Sequence, residues 1–194
     1  MRKLIVANIV SLDGYFEGPG GNVMALPMDA SFDAYNLERL QAADTLLLGA
    51  KTYRLFKGFW PSMATNPSAS PTHREIGRLD NSLAKVVISD SLSPAETDPW
   101  AQTTRIVRRA DAHREIATLK KGPGRDILIF GSHVLWNDLL AAGLVDELHL
   151  MVGPVVLGGG TTAFLQPVAA PLRLLATRRW EGSNNTLLIY AARA

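Results

Sequence analysis

The sequence contains no cysteine. That excludes disulfides, zinc ribbons, iron–sulfur clusters and thiol nucleophiles, and it fits a reducing compartment such as the cytoplasm. Net charge is nearly absent too: 20 Lys and Arg stand against 18 Asp and Glu, a formal +2. Up to Asp98 there are 9 basic and 11 acidic residues, and after it 11 and 7, so the second half is only mildly basic. Without a polybasic run, a surface that neutralises nucleic-acid phosphates is not expected. No stretch approaches the roughly 18 apolar residues of a membrane span. The opening Met1-Arg2-Lys3-Leu4-Ile5-Val6-Ala7-Asn8 turns polar too soon for a signal peptide. Two nucleotide fingerprints are missing: there is no GxGxxG, and no GxxxxGK followed by Ser or Thr. The four histidines, His73, His113, His133 and His149, show no metal-ligand spacing, so no metal site is expected.

What is present is a chain of 194 residues, 47% hydrophobic and 20% charged, enough for one real core. Apolar runs bounded by turn residues alternate with helical patterns. Lys3 to Leu12 reads as a buried strand that stops at Asp13-Gly14. Glu17 to Asn22 reads as a glycine-rich mobile loop. A helix capped by Ser31 runs to about Ala43, Thr45 to Leu48 is a strand, and Thr52 to Phe56 a short helix. Trp60 to Thr72, with three prolines, reads as a loop. A helix from His73 to Ser82 and strands at Lys85–Ser89 and Arg105–Arg108 follow. Then come a helix from Asp111 to Lys121, a strand at Asp126–Phe130 and a helix opened by Gly131-Ser132 that ends at Ala142. Val145 to Val152 is a strand that Pro154 to Leu157 extends past a kink. A hairpin closes the chain, with strands near Leu172–Trp180 and Thr186–Ala192. Strand–helix alternation up to about residue 152, then strands alone, predicts a single α/β domain. Its sheet should be mostly parallel, flanked by helices, with an antiparallel C-terminal edge.

Ligands of such sheets sit beyond the carboxyl ends of the strands. Four segments qualify: Asp13-Gly14, Gly49 to Tyr53, Ser89 to Ser91, and Gly131-Ser132. Two are strand–Gly–helix junctions, which expose backbone N–H groups at a helix start to an anion. Lys51 adds charge and Thr52 a hydroxyl at the first; Ser132 either caps the helix or holds the anion at the second. One such glycine corner is ordinary turn chemistry. Two in one small domain point to a phosphate-bearing cofactor.

These segments also carry a resemblance. Ser11-Leu12-Asp13-Gly14-Tyr15, Leu46-Leu47-Leu48-Gly49-Ala50-Lys51-Thr52-Tyr53 and Ile129-Phe130-Gly131-Ser132 occur in order. Gly143-Leu144-Val145-Asp146-Glu147-Leu148-His149 then runs to Pro154-Val155-Val156-Leu157-Gly158-Gly159-Gly160. Over nearly the whole chain the pattern resembles the dihydrofolate reductase-like superfamily, and more closely the branch similar to the reductase domain of the riboflavin-biosynthesis protein RibD. The resemblance implies an eight-stranded, mainly parallel sheet, a homodimer and a nicotinamide cofactor, usually NADPH, lying across the strand ends. It implies hydride transfer to a small heterocycle of the pteridine or aminopyrimidine kind. Carried onto this chain, it puts Gly49, Lys51 and Thr52 by cofactor phosphate, and Ser89 with Asp90 at the adenosine ribose. Gly131 and Ser132 meet the pyrophosphate, and Asp13 sits near nicotinamide and substrate.

The chain departs from that pattern in three places. Ala50 stands where the family commonly has Arg, Asp90 where it often has a basic residue, and Ser132 where it has a second Gly. A carboxylate at Asp90 repels a 2′-phosphate but accepts from ribose hydroxyls, so NADH is admitted beside NADPH. Arg54, Lys57, Arg108 and Arg109 are the candidates to compensate.

Each remaining candidate has a competing structural reading. Asp13 is either a proton donor, its pKa raised in an apolar cleft, or the acceptor of an Asp-Gly turn. Tyr15, Tyr53 and Trp60, the last with Phe56 and Phe59, are candidates for a substrate wall; core packing competes. Asp146 and Glu147, adjacent on a strand, point to opposite faces and cannot form a carboxylate dyad. Two other functions stay open: a ligand-binding module without turnover, and a true dihydrofolate reductase, for which Asp33 is the nearest helical acid.

Overall fold

The structure, a computed structural model, describes residues 1–167 and 172–192. Its elements in chain order are β1 (Leu4–Ser11), β2 (Tyr15–Glu17), α1 (Ala30–Ala42), β3 (Ala43–Gly49), α2 (Ala50–Met63), α3 (Pro71–Ser82), β4 (Ala84–Ile88) and β5 (Thr104–Val107). They continue with α4 (Ala112–Lys121), β6 (Asp126–Ile129), α5 (His133–Ala141), β7 (Glu147–Gly153), β8 (Thr161–Thr162), β9 (Arg173–Arg179) and β10 (Thr186–Ala191).

Eight strands form one sheet in the order β5-β4-β3-β6-β1-β7-β10-β9. The first six run parallel, and β10 pairs antiparallel with both β7 and β9. This is the mixed, mostly parallel sheet with antiparallel C-terminal strands that strand–helix alternation predicts. Every residue of β1 is buried, as a central strand covered on both faces requires. Its side chains alternate: Leu4, Val6 and Val10 pack with Ile116 of α4 and Trp136 of α5, whereas Ile5 and Ala7 pack with Leu40 of α1, Tyr53 of α2 and Ile76 of α3. So α4 and α5 cover one face and α1, α2 and α3 the other.

Several local expectations are corrected. Asp29, not Ser31, caps α1: its Oδ1 accepts from the Ser31 and Phe32 amides, and the Ser31 hydroxyl also donates to it. The second helix extends to Met63, past Gly58 and Pro61, because Phe56 and Trp60 go on packing against the core and Trp60 meets His73 of α3 edge-on. Residues 154–157 are not strand; Val155 is held by the Leu12 amide donating to its carbonyl. The segment read as a mobile glycine loop contributes the end of β2, a short 3₁₀ turn at Pro19–Gly21 and the Asn22 cap of a second at Val23–Ala25. β2 pairs with β8 in a two-stranded ribbon that no periodicity announced.

Candidate active site

β3 and β6 are parallel neighbours, and the chain leaves them in opposite directions. Gly49 passes it to α2 on one face, and Gly131 passes it, through Ser132, to α5 on the other. Divergence of adjacent strands opens a crevice at their carboxyl ends, where open α/β sheets bind ligands. Neither helix has a side-chain cap, so first-turn amides of both face this crevice with the positive ends of two dipoles. No atom comes within 4 Å of the side of Gly49 where a Cβ would stand.

The two corners touch. A Cβ on Gly131 would lie 3.0 Å from Cγ2 of Thr52, and Gly131 holds φ at 55°. Glycine is required there by conformation and by contact. Ser132 follows at φ 51°, ψ 41°, the one positive φ outside glycine among the described residues. Hydrogen bonds knit the corners together. The Ser132 amide donates to Oγ1 of Thr52 at 2.8 Å, the Gly49 amide donates to Oγ of Ser132 at 3.0 Å, and the Gly131 amide donates to Oδ1 of Asn8 at 2.7 Å. Asn8 is a buried polar residue of β1 that pattern reading passed over, though it interrupts an apolar strand.

The remaining predicted residues are placed as follows. Ala50, Lys51 and Thr52 form the first turn of α2. Lys51 is 87% exposed and reaches to 3.7 Å from Oε2 of Glu17 on β2. Ser89 is buried, and its hydroxyl accepts from the Ser91 and Leu92 amides, shaping the turn after β4. Asp90 is exposed and gathers two arginines from the end of β5: Arg108 donates to its carbonyl, while the Arg109 amide donates to Oδ1 and the Arg109 Nε lies 3.7 Å from Oδ2. Arg54 and Lys57 are engaged elsewhere, with Glu96 and the Asp98 carbonyl. Tyr15 stands on the β2–β8 ribbon opposite Thr162.

For three candidates the structure favours the competing structural reading. Asp13 does not have a raised pKa. It is exposed and accepts from the Ser11 hydroxyl and the Leu157 and Gly158 amides, which hold its pKa at about 2, and it anchors the turn after Pro154. Tyr53 is fully buried, its hydroxyl donating to the Thr97 carbonyl and paired with Thr104, so it is core and not a substrate contact. Trp60 packs between Phe56, Phe59 and His73 on the α3 side, the competing reading. Asp33, the folate-type candidate, pairs with His73 at 2.8 Å. Asp146 and Glu147 lie at the amino end of β7, bound to Lys120 and Lys3, away from the crevice. No cluster of metal-binding side chains occurs among the described residues.

Comparison with known proteins agrees with this architecture. The RibD C-terminal domain family matches residues 2–188. The uncharacterized protein YyaP of Bacillus subtilis is 32% identical over 164 residues, 84% of this chain and 81% of that protein. The Thermotoga maritima diaminohydroxyphosphoribosylaminopyrimidine deaminase/5-amino-6-(5-phosphoribosylamino)uracil reductase superposes with a TM-score of 0.65 at 11% identity, over 98% of this chain but 56% of that one. Dihydrofolate reductase from Enterococcus faecalis, complexed with NADP(H) and RAB-propyl, gives a TM-score of 0.59 at 17% identity, over 97% and 95%. By the extent of the family match and the identity to YyaP, the chain belongs to the RibD C-terminal domain family.

Proposed function

We propose that this protein is an NAD(P)H-dependent reductase of a flat, nitrogen-rich heterocycle of the aminopyrimidine or pteridine class. The observation that carries this reading is the meeting of two uncapped helix N-termini at the β3–β6 crevice. A diphosphate there would gain two helix dipoles and the exposed Lys51 ammonium. Along the carboxyl edge the candidate groups stand in the order of an extended dinucleotide. Arg108 and Arg109 with Asp90 lie at the β4–β5 end, the glycine corners come next, and the Asp13 turn lies beyond β1. At ~4.8 Å per strand, β4 to β1 spans about 14 Å. The reductase name of the Thermotoga maritima neighbour and the NADP(H) complex of the Enterococcus faecalis enzyme support the same cofactor class. When bound, the reduced nicotinamide supplies hydride; the chain supplies binding and orientation.

Arg108 and Arg109 answer the missing family arginines. Arg109 meets the Asp90 carboxylate and Arg108 is held on the Asp90 backbone carbonyl, so two positive charges stand beside one negative one, which leaves a net cation for a 2′-phosphate. NADPH is therefore the preferred cofactor, with NADH second.

The low pKa of Asp13 favours one competing reading, a binding module without turnover, because it removes the proton donor expected beside the nicotinamide. Titrating NADPH and NADH against tryptophan fluorescence, then mixing the loaded protein with aminopyrimidine and pteridine acceptors, separates the two. Saturable uptake with oxidation of the cofactor at 340 nm is expected. Uptake without oxidation leaves the module, and silence with both cofactors at millimolar concentration ends the reductase reading.

A further inference from the structure

The amides that a glycine-corner site would offer to phosphate are already used inside the protein. Gly49 N–H is held by Ser132, Ser132 N–H by Thr52, and Gly131 N–H by Asn8. Asn8 and Ser132 are buried, at 8% and 7% exposure, and the bonds tie the middle of β1 to the corners that follow its neighbours β6 and β3. The Asn8 amide also reaches back to the Gly131 carbonyl at 3.4 Å.

We infer that Asn8, Thr52 and Ser132 are positioning residues, a side-chain interlock that fixes the two helix N-termini at one separation, and that none of the three contacts the anion through its hydroxyl or carboxamide. This assignment rests on the dinucleotide reading above and deepens it. The diphosphate is left to the amides one to three positions further along: Ala50 to Thr52 on α2 and His133 to Leu135 on α5.

The arrangement explains a conformational cost. A serine at φ 51° stands in the left-handed region that only glycine adopts freely. Glycine at 132 would remove that cost and also the Oγ that accepts from Gly49. The left-handed serine is kept by two bonds, one accepted through its side chain and one donated through its amide, both to the neighbouring corner. An amide satisfied by a side chain is not reoriented by ligand, so the cup keeps its shape when empty.

The test uses the full chain and three variants. Thr52→Val keeps the shape of the side chain and deletes the acceptor; Thr52→Ser restores it; Asn8→Asp keeps an acceptor for Gly131. Two quantities are read: dissociation constants for NADPH and inorganic pyrophosphate by calorimetry, and amide hydrogen exchange at Gly49, Gly131 and Ser132 in ligand-free protein. Wild type should protect all three amides without ligand. Thr52→Val should lose protection at Ser132 and bind both anions about tenfold or more weakly, and Thr52→Ser should recover both. Asn8→Asp should keep Gly131 protected. If Thr52→Val binds like wild type, or if the three amides become protected only when pyrophosphate is added, the interlock is wrong although the reductase reading stands. If wild type protects the amides but binds neither anion, the reductase reading fails and the positioning role falls with it.

Discussion

The cofactor end of the crevice turns on single charges. The Asp90 carboxylate holds Arg109 and competes with any phosphate for it, while Arg108 rests on the Asp90 backbone carbonyl. Asp90→Arg should raise the ratio of NADPH to NADH affinity. Arg109→Ala should lower it by about tenfold or more, the worth of one charge-assisted hydrogen bond. Paired titrations with the two cofactors measure the ratio, and an unmoved ratio in both variants removes this corner from the site. A second residue-scale prediction concerns the buried core. Asp80 of α3 and Lys85 of β4 are each 1% exposed, and Oδ1 of Asp80 has no hydrogen-bond partner. Burial raises the Asp80 pKa to about 7, against attraction from Lys85, and lowers that of Lys85 to about 8. The folded state therefore holds the Asp80 proton more tightly than the unfolded chain does. Its contribution to stability is intact below the unfolded value of 3.8 and drains away as pH rises toward 7. Urea midpoints taken from pH 4 to 7 should fall for wild type and stay nearly flat for Asp80→Asn. The sequence named Asp90, Arg108 and Arg109 as candidates but not their pairing, and it held no sign of the buried Asp80. Asp80 lies in an ordinary charged helix pattern, and Asp90 meets its arginines only because β4 and β5 end side by side.

At the scale of elements, legibility followed local chemistry. The glycine corners, the central strands and the C-terminal hairpin are visible because a run of apolar residues ends in Gly or Asp-Gly, and backbone geometry responds within a few residues. α2 was read too short because Gly58 and Pro61 look like stops; packing against α3 outweighs them, and packing partners are not local. The β2–β8 ribbon was missed because its strands are three and two residues long and lie some 140 positions apart. What holds that ribbon is a glycine the motif did contain. A Cβ on Gly160, whose φ is 123°, would overlap the Glu17 carbonyl oxygen and lie 2.9 Å from the Gly18 carbonyl carbon. Gly160→Ala should cost at least about 2 kcal/mol, from overpacking plus backbone strain. Gly159→Ala is the control, because its Cβ would come no nearer than 4.0 Å to Pro19. Denaturant unfolding of the two variants decides the point; equal costs would mean that the ribbon yields to the extra methyl group.

For the whole molecule, the uneven covering of the sheet matters most. Leu187 of β10 is buried under α1 and Ile189 packs against the same cluster, whereas Leu188 and Tyr190 point to the opposite face and belong to none of the buried clusters. On that face Tyr190 pairs with Leu174 of β9, which is 50% exposed, and every residue of β9 is exposed. Beside it, Leu12, Val152, Gly153, Pro154, Asn184, Thr186 and Leu188 line an apolar groove of about 290 Å³. Arg173, Arg178 and Arg179 guard the free edge of β9 against open-ended strand pairing. The apolar face, not the edge, is thus the surface suited to a second copy in a closed twofold contact. The family resemblance implies a homodimer, and this face offers such a pair its surface. Sedimentation at micromolar concentration should give twice the 21.0 kDa chain mass. Leu174→Lys should return the single-chain mass with little loss in urea midpoint, because the leucine is already half exposed within its own chain. Wild type sedimenting as one chain would overturn the dimer, and a variant that both dissociates and unfolds would show that this face is held together only by its partner.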